Sequence, residues 1–268
     1  MAPIITLTTD FGWSDTYVGV MKGVILGLCR EARIVDLTHE IAPQNVLGGA
    51  IAIESSLRYF PEGTIHVGVV DPGVGTERAA VAIETDQSIL VGPDNGLFSF
   101  ALTAQSLKRA VRLTNRQYFR PSVSDTFHGR DVFAPVAAHL ANGVALADLG
   151  EPLDDLTTLL APEPVYAANR IESHVLHVDR FGNLITDLRV EEFDSWRRRA
   201  GVHRVRVSAA GHSLGAVQRT FADAPPGDPL AYFGSGGRLE LAVSAGSAHE
   251  FLELDVGDSV LVIADDSK

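Results

Sequence analysis

The segment Val67–Arg78 reads VGVVDPGVGTER and is the most informative part of the sequence about the architecture. The mainly apolar, β-branched residues 65–70 are typical of a strand buried on both faces of a parallel sheet. This strand ends at Asp71, and the following Pro-Gly-x-Gly requires a sharp turn before a new apolar strand begins at residue 79. Asp71 and Arg78 therefore flank a tight loop at the carboxyl end of a central strand, where open α/β sheets bind ligands. A salt bridge that only pins the turn is the alternative interpretation.

Strands and helices alternate on both sides of this loop. The periodicity predicts strands at 4–8, 34–37, 65–70, 79–84, 88–92 and 110–113, and helices at 17–29, 46–60, 97–102 and 132–141. This alternation predicts an α/β domain with a mostly parallel sheet and helices on both faces. The sequence has neither the Gly-x-Gly-x-x-Gly of a dinucleotide site after its first strand nor a P-loop.

The second half of the chain has a different pattern. Periodicity fades and prolines accumulate from Glu151 to Asn169, which indicates a linker. Short alternating strands follow at 171–179, 184–188, 203–208, 230–233, 238–243 and 258–264, with one helix at 190–199. This pattern predicts a small antiparallel β-barrel. The predicted domains are 1–163, an α/β domain, and 170–268, the barrel.

Composition limits the possible functions. The 268 residues are 46% hydrophobic and 21% charged, as expected for a folded soluble protein with a sizeable core. A formal charge of −12 argues against nucleic acid as a partner, because phosphates need clustered Lys and Arg. The single cysteine, Cys29, excludes an internal disulfide. Without a signal segment or an apolar run of membrane length, the protein is expected to be cytoplasmic, with no membrane partner.

Polar residues follow the first two predicted strands. Asp10 lies at the carboxyl end of the first strand, where a carboxylate could bind the hydroxyl pair of a ribose. Asp15, like Ser14, can cap the helix that follows, which is its ordinary structural role. His39 stands beside Glu40 after the second strand, and without a partner at a recognisable spacing it is interpreted as a loop residue.

A second polar cluster precedes the helix that ends near Ala141. His128, Gly129 and Arg130 stand just ahead of this helix, and Asp131 can cap it. The histidine is either a structural hydrogen-bonding group or a base, and the density of the cluster favours more than capping. Upstream, Asn95-Gly96 is either a turn or a place where backbone approaches a ligand.

Two loops of the predicted barrel have the composition of ligand contacts. The segment 179–183 (DRFGN) is a turn whose Asp, Phe and Asn could also contact a ligand with an apolar ring and a polar edge. The glycine-rich loop 233–237 could wrap a carboxylate with bare backbone. His174 and His177 face opposite sides of one strand and cannot share a metal, and no metal or other cofactor is expected. No Gly-x-Ser-x-Gly nucleophile elbow is present.

Together these segments resemble the S-adenosyl-L-methionine (SAM) hydroxide adenosyltransferases, the adenosine-forming SAM hydrolases related to fluorinases and chlorinases. The matching segments cover nearly the whole chain in the family's order: 8–12 with Asp15, 70–76 with Arg78, 92–96, 127–131, 179–183, and the loop from Ser235 to Glu240. The resemblance implies an N-terminal α/β domain and a C-terminal β-barrel. It also implies a homotrimer whose sites lie between the first domain of one subunit and the barrel of a neighbour.

The resemblance also implies an activity and a set of residues. The reaction is hydrolysis of SAM to adenosine and L-methionine, and the water-activating set falls on Asp71, Arg78 and His128. The other substrate contacts fall on Asp10 for ribose, Asp15 and Asp179 for the methionine ammonium, Ser235 for its carboxylate, Phe181 and Asn183 for adenine, and Gly129 near the halide position of the halogenating relatives. Val243 stands where the halogenases carry arginine, so carboxylate binding is expected to use backbone there.

The chemistry agrees with these residue types. A neutral thioether leaves a sulfonium without needing an acid, so the task is to place a nucleophile in line at C5′. Water is a poor nucleophile because its pKa lies far above neutral pH, and His128 or Asp71 can take its proton while Arg78 stabilises hydroxide character. The alternatives are a SAM-dependent halogenase and a non-catalytic SAM- or adenosine-binding module. Asp71 and Arg78 together favour hydroxide over halide.

Overall fold

The computed structural model describes residues 2–265, which divide into two compact units between Leu160 and Ala161. The N-terminal unit contains, in chain order, β1 (Ile4–Thr9), α1 (Tyr17–Leu28), β2 (Arg33–Thr38), α2 (Val46–Leu57), β3 (Thr64–Val69), β4 (Ala80–Thr85), β5 (Ser88–Pro93), α3 (Ser99–Ala104), β6 (Leu107–Leu113), α4 (Ala134–Ala141) and β7 (Gly150–Pro152). A π-helical turn, Gly129–Phe133, leads into α4, and short 3-10 turns cover Arg116–Tyr118 and Leu146–Leu149.

The N-terminal strands form one mixed sheet in the order β2-β1-β3-β5-β4-β6-β7. The pairs from β2 to β5 are parallel, whereas β4 pairs antiparallel with both β5 and β6, and β6 with β7. The predicted α/β architecture is confirmed, but a mostly parallel sheet is not found. Only residues 86–87 connect β4 to β5, and this connection is too short for the crossover that a parallel pair requires.

Helices cover both faces of this sheet. Met21 and Ile25 of α1 share a buried cluster with α4 on one face, and Ile53 of α2 shares another with α3 on the other face. Successive residues of β4 alternate between these clusters, because neighbouring side chains in a strand point to opposite faces. Both faces are therefore apolar, and polar side chains collect at the edge where the strands end.

The sheet order places two of the predicted site residues at the same edge. Strands β1 and β3 are parallel neighbours, with Thr9 opposite Val69. Asp10 follows β1 and Asp71 follows β3 after Val70, so both carboxylates leave the sheet at its carboxyl edge. This is the edge at which ligands bind in open α/β sheets.

The C-terminal unit is a strongly curled sheet. It contains β8 (Val165–Tyr166), β9 (Arg170–Val178), β10 (Leu184–Arg189), α5 (Val190–Ala200), β11 (Val205–Ala209), β12 (His212–Gly215), β13 (Val217–Gln218), β14 (Pro229–Phe233), β15 (Arg238–Val243), α6 (Ala248–Leu252) and β16 (Ser259–Ala264). The strand order is β12-β11-β16-β9-β10-β15-β14-β13, with β8 beside β9. Near one end β12 approaches β14, which makes the sheet a nearly closed barrel.

The predicted barrel is confirmed in outline, and its pairing differs in one place. β13 pairs parallel with β14, whereas the other pairs are antiparallel. Strands β12 and β13 were not predicted because both are too short to show an alternating apolar pattern. Among residues 2–265 there is no helix of the length and apolarity needed to cross a membrane.

Candidate active site

Arg78 joins Asp71 and His128 beyond the end of β3. Its Nε lies 2.9 and 3.0 Å from the two carboxylate oxygens of Asp71, and its Nη2 also donates to Asp71. The same Nη2 lies 2.8 Å from Nδ1 of His128. The Arg78 and Asp71 side chains are only 10% and 5% exposed. The structure therefore brings the three predicted catalytic side chains into one contiguous, largely buried set.

The loop between β3 and β4 has the geometry that this set needs. Thr76 Oγ1 donates to the carbonyl of Gly73 at 2.7 Å, and the Val74 N–H donates to the carbonyl of Asp71. Gly75 has φ +77°, and a Cβ there would lie 2.4 Å from the carbonyl oxygen of Asp125. Only glycine combines that φ with so close an approach. The close approach lets the segment that carries His128 lie against the Asp71 loop.

Asn95 supports the same strand end from the next strand of the sheet. Its Nδ2 donates to the carbonyl of Val70 at 2.8 Å, and its Oδ1 accepts the N–H of Leu97 at 3.2 Å. Gly96, at φ +90°, meets the backbone of Leu159, where a Cβ would clash. The Asn95-Gly96 pair therefore has a structural role in the turn that follows β5.

The contact with Arg78 determines which nitrogen of His128 carries a proton. A guanidinium only donates, so Nδ1 must accept and the neutral ring carries its proton on Nε2. Burial lowers the pKa of His128, and so does the charge of Arg78. Asp71, Asp125 and Asp131 raise it by less, so its pKa lies below the ordinary value of 6.5. His128 is therefore neutral at neutral pH.

Asp131 is not the helix cap that the sequence suggested. It lies inside the π-helical turn, and its fully buried carboxylate accepts two bonds of 2.7 Å from Arg130 and the N–H of Ser124 at 2.9 Å. These bonds outweigh the effect of burial, which raises the pKa of Asp131, and leave that pKa below its usual value. The Arg130 guanidinium stacks 5.0 Å from the Phe127 ring. Arg130 and Asp131 therefore stabilise the segment that presents His128.

Gly129 is buried between the turn and two core side chains. A Cβ at this position would lie 3.2 Å from the sulfur of Met21 and 3.4 Å from the ring of Phe11. Phe11 follows Asp10 directly, so Gly129 packs against the loop that carries the candidate ribose carboxylate. A larger residue at this position would push against that loop.

Asp10 and Asp15 differ in how firmly they are held. Asp10 Oδ2 accepts the N–H of Gln44 at 2.8 Å, which ties it to the loop after β2. Asp15 is exposed just before α1, and the N-cap residue of α1 is Thr16. The prediction that Ser14 or Asp15 caps α1 is therefore wrong, because the N-cap position is Thr16 and the start of α1 has no side-chain capping hydrogen bond.

A buried polar network beside Asp10 was missed in the sequence. His39 is fully buried, with Nδ1 2.8 Å from Thr9 Oγ1 and Nε2 2.9 Å from Asp36 Oδ1. Lys22 Nζ lies 2.6 Å from the other Asp36 oxygen. The interpretation of His39 as a plain loop residue is incomplete. The usable signal was the three-residue spacing of Asp36 and His39 across the end of β2.

In the C-terminal unit, Asp179 organises the 179–183 turn. Its carboxylate accepts the N–H groups of Phe181 and Asn183 at 2.8 and 2.9 Å, and the Asn183 amide at 2.8 Å. Gly182 has φ +79°, and a Cβ there would lie 2.1 Å from Ser247 Oγ. Asn183 is buried, whereas the Phe181 ring is 77% exposed. The turn therefore presents an apolar ring next to an amide fixed by a carboxylate.

Ser235 is exposed in the loop between β14 and β15. Glu240 lies beneath this loop, since a Cβ at Gly234 would lie 1.8 Å from Glu240 Oε1, and the Tyr232 hydroxyl donates to its Oε2. Burial and the charge of Asp179 raise the pKa of Glu240, against the opposite effect of Tyr232. Within the described residues, no three His, Cys, Asp or Glu side chains are grouped to hold a metal ion.

Comparisons with known proteins agree over the whole chain. The model of the SAM hydroxide adenosyltransferase N-terminal domain matches residues 5–150, and that of the C-terminal domain matches residues 173–261. An (R)-S-adenosyl-L-methionine hydrolase of Salinispora arenicola is 41% identical over 266 residues, which cover 98% of each chain.

Two further comparisons concern structure and a related activity. The crystal structure of an uncharacterized conserved protein from Thermotoga maritima superimposes with a TM-score of 0.89 at 35% identity, over 97% of this chain and 99% of that one. A fluorinase of an Actinoplanes species is 30% identical, over 97% of each chain. The similarity to the hydrolase is therefore greater than the similarity to this fluorinase.

Proposed function

The chain belongs to the SAM hydroxide adenosyltransferase family, and we propose that its Asp71, Arg78 and His128 activate the water that cleaves SAM. The enzyme hydrolyses SAM to adenosine and L-methionine. The observation that carries the assignment of residues is the hydrogen-bonded contact of Arg78 with both Asp71 and His128. A turn-pinning salt bridge would need Arg78 and Asp71 alone, and the third member favours a catalytic set.

The reaction needs an oxygen in line with a carbon–sulfur bond. The water oxygen bonds to C5′ while the C5′–S bond breaks and its electron pair stays on sulfur. The sulfonium charge is thereby neutralised, so methionine leaves without protonation. One proton leaves the attacking water, and adenosine keeps the new 5′-hydroxyl. The protein therefore has to position water, accept one proton and hold the substrate.

Asp71 is the proton acceptor in this proposal. In neutral His128, the Nδ1 lone pair faces Arg78 and Nε2 carries hydrogen, so the ring can orient water but cannot take its proton. The Asp71 carboxylate keeps lone pairs beyond those that face Arg78. A carboxylate is basic enough because the water oxygen becomes strongly acidic as it bonds to carbon.

Arg78 has two roles in this arrangement. It holds Asp71 through both carboxylate oxygens and directs His128 by its Nδ1 contact, which fixes the Nε2–H toward solvent or substrate. Its guanidinium is also 5.4 Å from the Phe133 ring, which supports the cation from below. Its positive charge stabilises hydroxide character on the attacking water.

The proposed substrate contacts follow from the two loop sets. In the N-terminal unit, Asp10 binds the ribose hydroxyls, Asp15 the methionine ammonium, and Gly129 contacts the substrate through its backbone. In the C-terminal unit, the proposed contacts are Phe181 and Asn183 for adenine, Asp179 for the ammonium and Ser235 for the carboxylate. The exposed Phe181 ring supports this assignment, because a free aromatic face is what a purine stacks on.

The assembly is also part of the proposal. We infer a homotrimer in which each active site combines the N-terminal set of one subunit with the C-terminal set of a neighbour. The family resemblance supports this arrangement, and so does the distribution of the candidate residues over two separate compact units.

The test is product analysis in ¹⁸O-labelled water. Incubation with SAM is expected to yield equimolar adenosine and methionine, with the label in the adenosine 5′-hydroxyl. Fluoride or chloride should leave the products unchanged. A 5′-halogenated nucleoside would instead establish a halogenase. Bound but unreacted SAM would establish a binding module.

A further inference from the structure

Two loops at the carboxyl edge of the sheet are tied together. Residues 10–13 follow β1, and residues 39–45 follow β2, its parallel neighbour. The Gly12 N–H donates to the carbonyl of His39 at 2.7 Å, and the Gln44 N–H donates to Asp10 Oδ2 at 2.8 Å. Gln44 has φ +66°, which is unusual for a residue with a side chain. The position of Asp10 therefore depends on the loop that begins at His39.

A hydrogen-bonded chain of side chains, buried at His39 and Thr9, fixes the start of both loops. Lys22 Nζ lies 2.6 Å from Asp36 Oδ2, Asp36 Oδ1 lies 2.9 Å from His39 Nε2, and His39 Nδ1 lies 2.8 Å from Thr9 Oγ1. We name these four residues the His39 relay. His39 is 0% exposed and Thr9 is also fully buried. The relay connects α1, β2 and the last residue of β1.

Hydrogen-bond direction in the relay is determined by its acidic end. Burial raises the pKa of Asp36, but the hydrogen bonds from His39 and Lys22 together lower it by more. The net pKa lies below its usual value, so the carboxylate is ionised. A carboxylate only accepts, so His39 Nε2 donates to Asp36, and Nδ1 on the other side of the ring bonds the Thr9 hydroxyl. Thr9 Oγ1 then keeps lone pairs for the Phe11 N–H at 3.2 Å. The relay thus orients the backbone immediately after Asp10.

The outer side of the relay is covered by the same loop. The ring of Trp13 packs edge-on against His39 with centroids 4.6 Å apart, and Lys22 Nζ lies 5.5 Å from the Trp13 ring. His39 therefore contacts the loop through its ring, its side-chain nitrogen and its backbone carbonyl. The backbone contact remains in any substitution, whereas the ring contact with Trp13 and the two side-chain hydrogen bonds depend on histidine.

We propose that His39 is a positioning residue that sets affinity for the nucleoside part of the substrate by holding the Asp10 loop. This inference rests on the proposed function, in which Asp10 binds the ribose. The relay shares no member with Asp71, Arg78 and His128. Loss of His39 is therefore expected to weaken binding far more than it slows the chemical step.

The test uses three substitutions at one position. His39→Asn keeps a polar atom near Nδ1 and can still bond Thr9, whereas His39→Gln reaches toward Asp36 only, and His39→Leu makes neither bond. We expect KM for SAM to rise roughly 10- to 100-fold in the Leu and Gln variants, since the hydrogen bonds between the ribose and a charged carboxylate contribute about that much to binding. The Asn variant should be closer to wild type, and kcat should stay within about threefold in all three.

A matched control exists in the same unit. His66 is also buried and also bonds a threonine through Nδ1, at 2.8 Å from Thr6, but it lies in the middle of β3. His66→Leu should lower thermal stability and leave KM unchanged. Thr9→Val removes the relay hydroxyl with little change in shape, and it should raise KM even if a His39 variant folds poorly.

Adenosine affinity, measured by calorimetry, separates this inference from the hydrolase assignment. Weaker adenosine binding in His39→Leu and Thr9→Val, but not in His66→Leu, supports the positioning role whether or not turnover is seen. If folded His39→Leu has unchanged adenosine affinity and unchanged KM, the inference is overturned. The proposed function still stands in that case, as long as the wild-type enzyme hydrolyses SAM. A fall in kcat with KM unchanged would also overturn it.

Discussion

Arg78 is the residue on which the proposed catalytic set depends, because its guanidinium contacts both other members. Removing it would leave the Asp71 carboxylate, 5% exposed, without its charge partner, and would free the His128 ring to rotate. An unpaired buried charge is costly, so this position affects geometry as well as chemistry. In the proposed mechanism, the other two residues act on water only in the orientation that Arg78 gives them.

Substitutions in the catalytic set should lower kcat without unfolding the protein. Asp71→Asn, Arg78→Ala and His128→Ala are each expected to reduce kcat by about 10²–10⁴-fold, with the largest loss in Asp71→Asn, which removes the proton acceptor. Since the three act as a unit, the triple variant should be little worse than the worst single one. Steady-state kinetics with circular dichroism as the folding check measures this.

A suitable control for Arg78→Ala is Arg109→Ala. Arg109 also pairs with a carboxylate, Glu84, at 2.5 Å in the same unit, but its side chain is 57% exposed. This variant should keep wild-type kcat. Near-wild-type turnover in both Arg78→Ala and His128→Ala would mean that these two residues have only a structural role.

The charge state of His128 predicts the pH dependence of activity. Burial and Arg78 lower its pKa below 6.5, so the ring stays neutral, and active, until the pH falls below that value. Protonation at Nδ1 would break the bond from Arg78 and place two cations together. We expect kcat/KM to fall on the acid side of the pH profile, with a midpoint below pH 6.5. In Arg78→Gln this midpoint should move to higher pH. A midpoint above 6.5 in the wild-type enzyme would contradict this.

Among the elements, the loop between β3 and β4 carries Asp71 and Arg78 of the proposed catalytic set, and the close approach of Gly75 to Asp125 holds this loop in place. A Cβ at Gly75 would collide with the Asp125 carbonyl, whereas Gly63, at φ +81°, faces open space before β3. Both glycines adopt a left-handed conformation that costs an L-residue about 1–2 kcal/mol. Alanine substitutions at these two positions therefore distinguish the effect of backbone strain alone from the added effect of a clash with Asp125.

Gly75→Ala and Gly63→Ala should have different effects on activity. Gly63→Ala is expected to lower the free energy of unfolding by about 1 kcal/mol and to leave kcat/KM unchanged. Gly75→Ala adds the clash with Asp125, pushes the His128 segment away, and should lower kcat/KM by about 10²-fold. Denaturant unfolding and kinetics on both variants check this. Equal activities would show that the approach at Gly75 is not needed for function.

At the scale of the whole molecule, the candidate residues form two sets. Asp71 and His128 belong to the N-terminal unit, and Asn183 and Phe181 belong to the C-terminal unit. The proposed trimer builds each site from the sets of two different subunits. Isolated subunits would then hold only half-sites, and activity would depend on subunit concentration.

Mixing two inactive variants tests the shared site. Asp71→Ala and Asn183→Ala, mixed after reversible dissociation, should regain activity, because some mixed trimers contain a site with neither substitution. If every site belonged to one chain, each would keep one substitution. An inert mixture with subunit exchange confirmed by mass spectrometry would exclude the shared site and leave the hydrolase assignment standing.

Local sequence was sufficient wherever a pattern depends on near neighbours. The strand-turn signal at Val67–Arg78 and the carboxylate after β1 could be recognised because alternation and turn chemistry are recorded within a few residues. The positions of β1, β3 and α1 follow for the same reason. The short connection between β4 and β5 was also visible, although its consequence, an antiparallel half of the sheet, was not drawn from it.

Contacts between residues far apart in the chain could be identified only in the three-dimensional structure. His128 meets Arg78 across 50 residues, and His39 meets Thr9 across 30. Asp131 accepts hydrogen bonds from Arg130 and Ser124 instead of capping a helix, because a buried carboxylate must bond to the donors that lie near it in the folded chain. The sequence shows which residues are polar, and its periodicity indicates which residues are buried. The partner of each buried polar group depends on which loops the sheet order brings to one edge.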